Sequence, residues 1–100
     1  MEKIQHAFDL PGRVAVVTGG PGLLGKEFCR TLAEAGAAVA VVDINAVGCA
    51  AVADDLSSQG YAALSVPTDV TQPESVQNMV AEVLKAFGRL DILVNSAALD

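Results

Sequence analysis

The sequence predicts an α/β fold built on a doubly wound parallel sheet with strand order 3-2-1-4. Three observations carry that prediction. Short apolar runs alternate with segments of helical periodicity. The connections between them are short, and glycine or proline marks most of their boundaries. None of the apolar runs alternates apolar with polar residues, which marks strands covered by helices on both faces. Such an order implies right-handed crossovers. A strand–helix–strand–helix–strand start, followed by a crossover to a fourth strand, puts the switch point between the first and fourth strands. Ligands bind there, beyond the carboxyl ends of the strands.

The elements follow in order. Val14 to Val17 is a β-branched run between Pro11-Gly12 and a glycine cluster. Leu24, Phe28, Leu32 and Ala35 recur at helical spacing, and Gly36 stops that helix. Ala38 to Val42 is the second strand, ending at Asp43. Ala46 to Leu56 reads as an Ala-rich helix with a poorly defined apolar face, ended by Gly60. Ala63 to Val66 is the third strand, closed by Pro67. The third helix has the clearest signals. Thr71 and Glu74 have the spacing of a capping box, and Pro73 suits a first turn. Val76, Met79, Val80, Val83, Leu84 and Phe87 form its apolar stripe before Gly88. Leu90 to Val94 is the fourth strand.

With 100 residues the chain holds one domain at most, and residues 1–12 read as an N-terminal arm. Just over half of the residues are apolar, enough for a core. The formal net charge of −6 repels phosphate backbones, which argues against a nucleic-acid partner. No apolar stretch approaches the roughly 20 residues of a membrane span, and no basic run suggests a membrane surface. Residues 1–10 mix both charge signs and do not form a secretory signal. Cys29 and Cys49 have neither metal-ligand nor redox spacing, and they read as free thiols in a reducing cytoplasm. His6 reads as a solvated tail residue and Lys26 as a surface Lys. Asp54 and Asp55 read as a solvated helix face.

The chemistry-bearing motif follows the first strand. Within Thr18-Gly19-Gly20-Pro21-Gly22-Leu23-Leu24-Gly25, the residues Gly20, Gly22 and Gly25 complete a G-x-G-x-x-G. The first glycine permits the tight turn. The second lets a diphosphate approach bare backbone. The third lets the helix pack closely on the sheet. The following helix turns its unpaired N–H groups and positive dipole end toward the phosphates. With a strand before and a helix after, this is the Rossmann dinucleotide fingerprint. Asp43 ends the second strand roughly 20 residues later, where a carboxylate accepts hydrogen bonds from ribose hydroxyls. It would repel the extra phosphate of NADP, and no Arg or Lys follows nearby to receive one, so NAD is expected over NADP. A strand-end Asp that caps the next helix is the plainer reading, and both can hold at once.

These residues resemble the short-chain dehydrogenase/reductases. Leu10-Pro11-Gly12-Arg13-Val14-Ala15-Val16-Val17-Thr18-Gly19-Gly20 is similar to that family's opening. Thr68-Asp69-Val70-Thr71 is similar to its third strand end, and Leu90 to Ala98 to its fourth strand and Asn-Asn-Ala-Gly turn. The resemblance implies an alcohol–ketone oxidoreductase using a nicotinamide dinucleotide. It implies that residues Gly19, Gly20, Pro21, Gly22, Leu24 and Gly25 cradle the diphosphate. Asp43 and Ile44 would meet the ribose end, Asp69 and Val70 the adenine, and Asn95 and Ala97 the cofactor's middle. Without the resemblance, Asp69 is a polar residue in a turn. There are departures. Leu23 stands where the common single-domain branch has its middle glycine, and Gly22 matches the spacing of the extended branch of epimerases and dehydratases. Ser96 replaces the second Asn of the turn and Ala98 its Gly.

The family's catalysis uses a Ser and a Tyr with a Lys four residues on. The sole Tyr, Tyr61, is followed at that spacing by Ser65, so it reads as structural and the sequence offers no catalytic residue. The chain reads as the front of a longer enzyme, incomplete at its C-terminus, which in full would be a homo-oligomer. The fourth strand would leave an apolar edge, so the isolated chain is expected to be poorly soluble or partly molten. A sharp cooperative melt of a monomer would contradict this. Two other functions fit the same motifs. One is an extended-branch epimerase or dehydratase using bound NAD. The other is a dinucleotide-binding module without turnover.

Overall fold

The computed structural model describes residues 9–96. His6, Ala97 and Ala98 lie outside these residues. The elements run β1 (Val14–Thr18), α1 (Leu23–Glu34), β2 (Ala38–Asp43), α2 (Ala46–Ser58), β3 (Ala63–Pro67), α3 (Pro73–Phe87) and β4 (Ile92–Asn95). All pairings are parallel, and the order is β3-β2-β1-β4, as the sequence predicts.

The two central strands divide their side chains between two cores. Val17, Val39 and Val41 pack with Cys29 and Ala33 of α1 and with Cys49, Ala53 and Leu56 of α2. Val14, Val16, Ala40 and Val42 point the other way, onto Met79 and Val83 of α3. The two central strands are therefore buried on both faces, which explains their unbroken runs of Val and Ala. β3 and β4 are the outer strands. Pro67 is the last residue of β3 rather than a stop before its end. An edge strand tolerates its missing N–H, and Pro67 sits in register with Asp43. On β4, Leu93 is 63% exposed, the apolar edge that the sequence led us to expect.

Four expectations need correction. The buried line of α1 is Gly25, Cys29 and Ala33, with Phe28 and Leu32 half-buried beside it, while Leu24 is exposed and Ala35 is the C-cap. The helix lies so close to the sheet that its contact line takes small residues. On α3, Leu84 is 45% exposed because it stands one residue, about 100° of helix, past buried Val83. Thr71 does not cap α3. The N-cap is Gln72, without a side-chain cap bond, and the Thr71 hydroxyl donates instead to Asp69 Oδ1. Pro73 does occupy the first turn, and Gly88 closes the helix with φ 81°. Finally, β4 begins at Ile92 rather than Leu90. Asp91 holds the entry to that strand: its carboxylate accepts from the Val14 N–H at 2.9 Å and from the Arg89 guanidinium at 2.7 Å.

Tyr61 is half-buried and packs against the first core. Cys29 and Cys49 are free and buried in that same core. Burial pushes the Cys29 thiol up to about 12 and the Cys49 thiol up to about 11, so neither is a ready nucleophile. No helix among the described residues is long and apolar enough to cross a membrane.

Candidate functional site

The carboxyl ends of all four strands lie along one edge of the sheet, and backbone bonds pin them together. The Gly20 N–H donates to the Val42 carbonyl, the Thr68 N–H to the Asp43 carbonyl, and the Ser96 N–H to the Thr18 carbonyl. The Thr18 hydroxyl donates to Asn95 Oδ1 at 2.8 Å, bridging the switch point between β1 and β4.

The glycine loop leaves β1 through Gly19, whose φ of 70° is the left-handed turn. This corrects the assignment of that turn to Gly20. Gly20 is small for another reason: a Cβ there would lie 2.5 Å from Val41 Cγ1. Gly25 is small because the helix start lies against the loop backbone rather than the sheet: a Cβ on it would come within 2.0 Å of the Gly19 carbonyl oxygen. Gly22 is the N-cap of α1 with φ −66° and ψ 167°, a conformation open to any residue. Backbone strain therefore does not explain its glycine. No side chain caps α1, and no acid stands in its first turn.

Gly19, Asp43, Ile44, Thr68, Asp69, Val70 and Thr71 line one cleft of about 260 Å³ beside this loop. The predicted ribose and adenine residues are thus brought together. Ile44 and Val70 are 71% and 49% exposed, which puts apolar side chains at a solvent-facing cleft. The Asp43 carboxylate accepts from the Asn45 N–H through Oδ2, at 2.9 Å. Asn45, not Asp43, caps α2: its Oδ1 accepts from the Gly48 N–H at 3.0 Å. The Asp69 carboxylate accepts from both the hydroxyl and the N–H of Thr71, which hold it below the usual carboxylate range. The Asp69 N–H donates to Ser75 Oγ.

The remaining predicted residues lie outside this cleft. Gly20, Pro21, Gly22 and Gly25 form the neighbouring loop and helix start, and Leu24 is exposed on α1. Asn95 sits at the switch point, bonded to Thr18. Ala97 lies outside the described residues. Lys26 lies in a larger groove of about 370 Å³ between α1 and α2, with Glu27, Arg30 and Asp55, and that groove shares no residue with the cleft. Sequence reasoning missed Ser96, which is fully buried and donates its hydroxyl to the Thr18 carbonyl. It also missed Asn45, although an Asn two residues past a strand-end Asp is a signal for paired turn and cap bonds.

Comparisons with known proteins agree with this picture. The sequence model of the short chain dehydrogenase family matches residues 13–100, and the chain belongs to that family. It is 46% identical over 96 residues to the short chain dehydrogenase/reductase astE of Aspergillus oryzae, covering 95% of this chain and 37% of that protein. A dehydrogenase/reductase from Sinorhizobium meliloti superposes with a TM-score of 0.89 at 35% identity, over 97% of this chain and 39% of the other. The 7α-hydroxysteroid dehydrogenase solved with NADH and 7-oxo glycochenodeoxycholic acid superposes with a TM-score of 0.84, also at 35% identity, over 88% of this chain and 34% of the other. Escherichia coli has a 7α-hydroxysteroid dehydrogenase that is 36% identical over 88 residues, covering 88% of this chain and 34% of that protein. The chain thus spans little more than a third of the length of the relatives it matches.

Proposed function

We propose that this chain is the N-terminal, cofactor-binding portion of an NAD-dependent oxidoreductase that interconverts an alcohol and a ketone by hydride transfer. The observation that carries the reading is the junction of an uncapped helix start with a cleft that holds an acid. The residues fit a dinucleotide. Bare backbone at Gly22 and the open N–H groups of α1 suit a diphosphate. Ile44 and Val70 offer apolar surface to a flat adenine, with Asp69 beside them. Asp43 has one oxygen committed to Asn45, and Oδ1 can accept from a ribose hydroxyl. Asn95, and Ala97 after it, would border the middle of the cofactor, which supplies the hydride.

NAD rather than NADP follows from Asp43, whose charge opposes a 2′-phosphate. The substrate-binding and proton-transferring groups would come from the rest of the protein, and the full protein is read as a cytoplasmic homo-oligomer. The test is Asp43→Asn in the full-length protein. Asn keeps an oxygen for the Asn45 N–H but loses the charge. The Kd for NADH should rise about tenfold, the scale of one charge-assisted hydrogen bond, while NADPH binding improves. Unchanged affinity for both cofactors would contradict the role given to Asp43.

A further inference from the structure

Gly48 stands in the first turn of α2, where its residue type is unfavourable. Glycine is a poorer helix former than Ala because it gives up more conformational freedom. A Cβ at this position would lie 2.8 Å from Pro21 Cβ, 3.0 Å from Pro21 Cγ and 2.8 Å from Asn45 Nδ2. The diphosphate loop therefore rests, through Pro21, on the bare Cα of a helix that belongs to the next crossover. The same glycine donates its N–H to Asn45 Oδ1, and the Asn45 N–H in turn holds Asp43 Oδ2.

We propose that Gly48 is a positioning residue for dinucleotide binding. By seating Pro21 it fixes the distance between the loop and the acid at the end of β2, so that one ligand can touch both. This rests on the cofactor reading above. The two neighbours of the missing Cβ respond differently to a methyl group. The Asn45 amide is the tip of a rotatable side chain and can yield. The proline ring cannot yield without moving its own backbone, and that backbone is the loop.

The experiment uses the full-length protein as wild type, Gly48→Ala, Pro21→Gly and the double variant. Each is titrated with NADH by nicotinamide fluorescence, and Gly48→Ala is crystallised without cofactor. Gly48→Ala should raise the Kd for NADH about tenfold, within the range of coupling between touching residues. In the Pro21→Gly background the same change should cost no more than about threefold, because the ring it displaces is gone. A helix defect with no link to the loop would not be relieved in this way. The cofactor-free crystal should show Pro21 moved off α2 with the helix intact. A wild type that binds NADH beside a Gly48→Ala protein of equal affinity would overturn this inference alone. So would an equal loss in both backgrounds, or an unmoved Pro21. A wild type that binds no NADH would overturn the cofactor reading and this inference with it.

Discussion

Two helices start at the same edge of the sheet, each just after a central strand, and they start differently. The first turn of α2 is satisfied internally: Asn45 caps it and Asp43 braces Asn45. The first turn of α1 has Gly22 at its N-cap and no side-chain cap. With Gly rather than Ser, Asn or Asp at the N-cap, α1 forgoes about a few tenths of a kcal/mol, and its first N–H groups have no side-chain partner. On the function proposed above, α2 would hold the acid still, and α1 would leave its N–H groups for an anion from outside.

The sharpest way to break this comparison is to give α1 the cap it lacks. Gly22→Asp in the full-length protein should leave the melting temperature equal or higher, since a carboxylate suits a helix start. NADH binding should nevertheless fall by about a hundredfold or more, because a fixed negative charge would occupy the diphosphate's place. If affinity were retained, the anion would not bind there. The converse change, Asn45→Ala, should cost about 1 kcal/mol of stability by chemical denaturation. It should weaken NADH binding only modestly, through a looser Asp43. A large loss of binding without loss of stability would mean that Asn45 itself touches the ligand.

A smaller effect sharpens the comparison from the opposite edge of the sheet, where Asp91 has a purely structural place. The Arg89 guanidinium, and after it the Val14 N–H, hold the Asp91 carboxyl below the usual carboxylate range. A depressed value means that its contribution to stability is complete above the ordinary carboxylate pKa, near 3.9, and is lost as pH falls through the lower native value. Acid unfolding monitored by circular dichroism should therefore be less steep below about pH 4 in Asp91→Asn, with NADH affinity at neutral pH unchanged. An unchanged acid limb would remove Asp91 from the account.

Much of this was legible in the sequence, and the misses are of two kinds. Strand order, Gly88, Pro73 and the gathering of Asp43, Ile44, Asp69 and Val70 follow from periodicity, turn chemistry and resemblance. Two of the misses depend on contacts between segments far apart in the chain, and one is a choice between two local bonds. Gly20 looked like the turn residue, yet Val41 of β2 is what keeps it small. The Thr71 and Glu74 spacing looked like a capping box, yet Asp69 takes the Thr71 hydroxyl. Ser96 looked like a departure from a motif. It is a buried donor to Thr18, 78 residues away in sequence. Local pattern names the candidates, and tertiary packing decides which of several local bonds is made.

The central claim is that the cleft and the uncapped start of α1 hold one nicotinamide dinucleotide with Asp43 on its ribose. Parallel titrations of the full-length protein with NADH and NADPH test it most directly. The account predicts saturable NADH binding and at least about tenfold weaker NADPH binding, the scale of one opposed charge. Tighter binding of NADPH, or binding of neither, would contradict it.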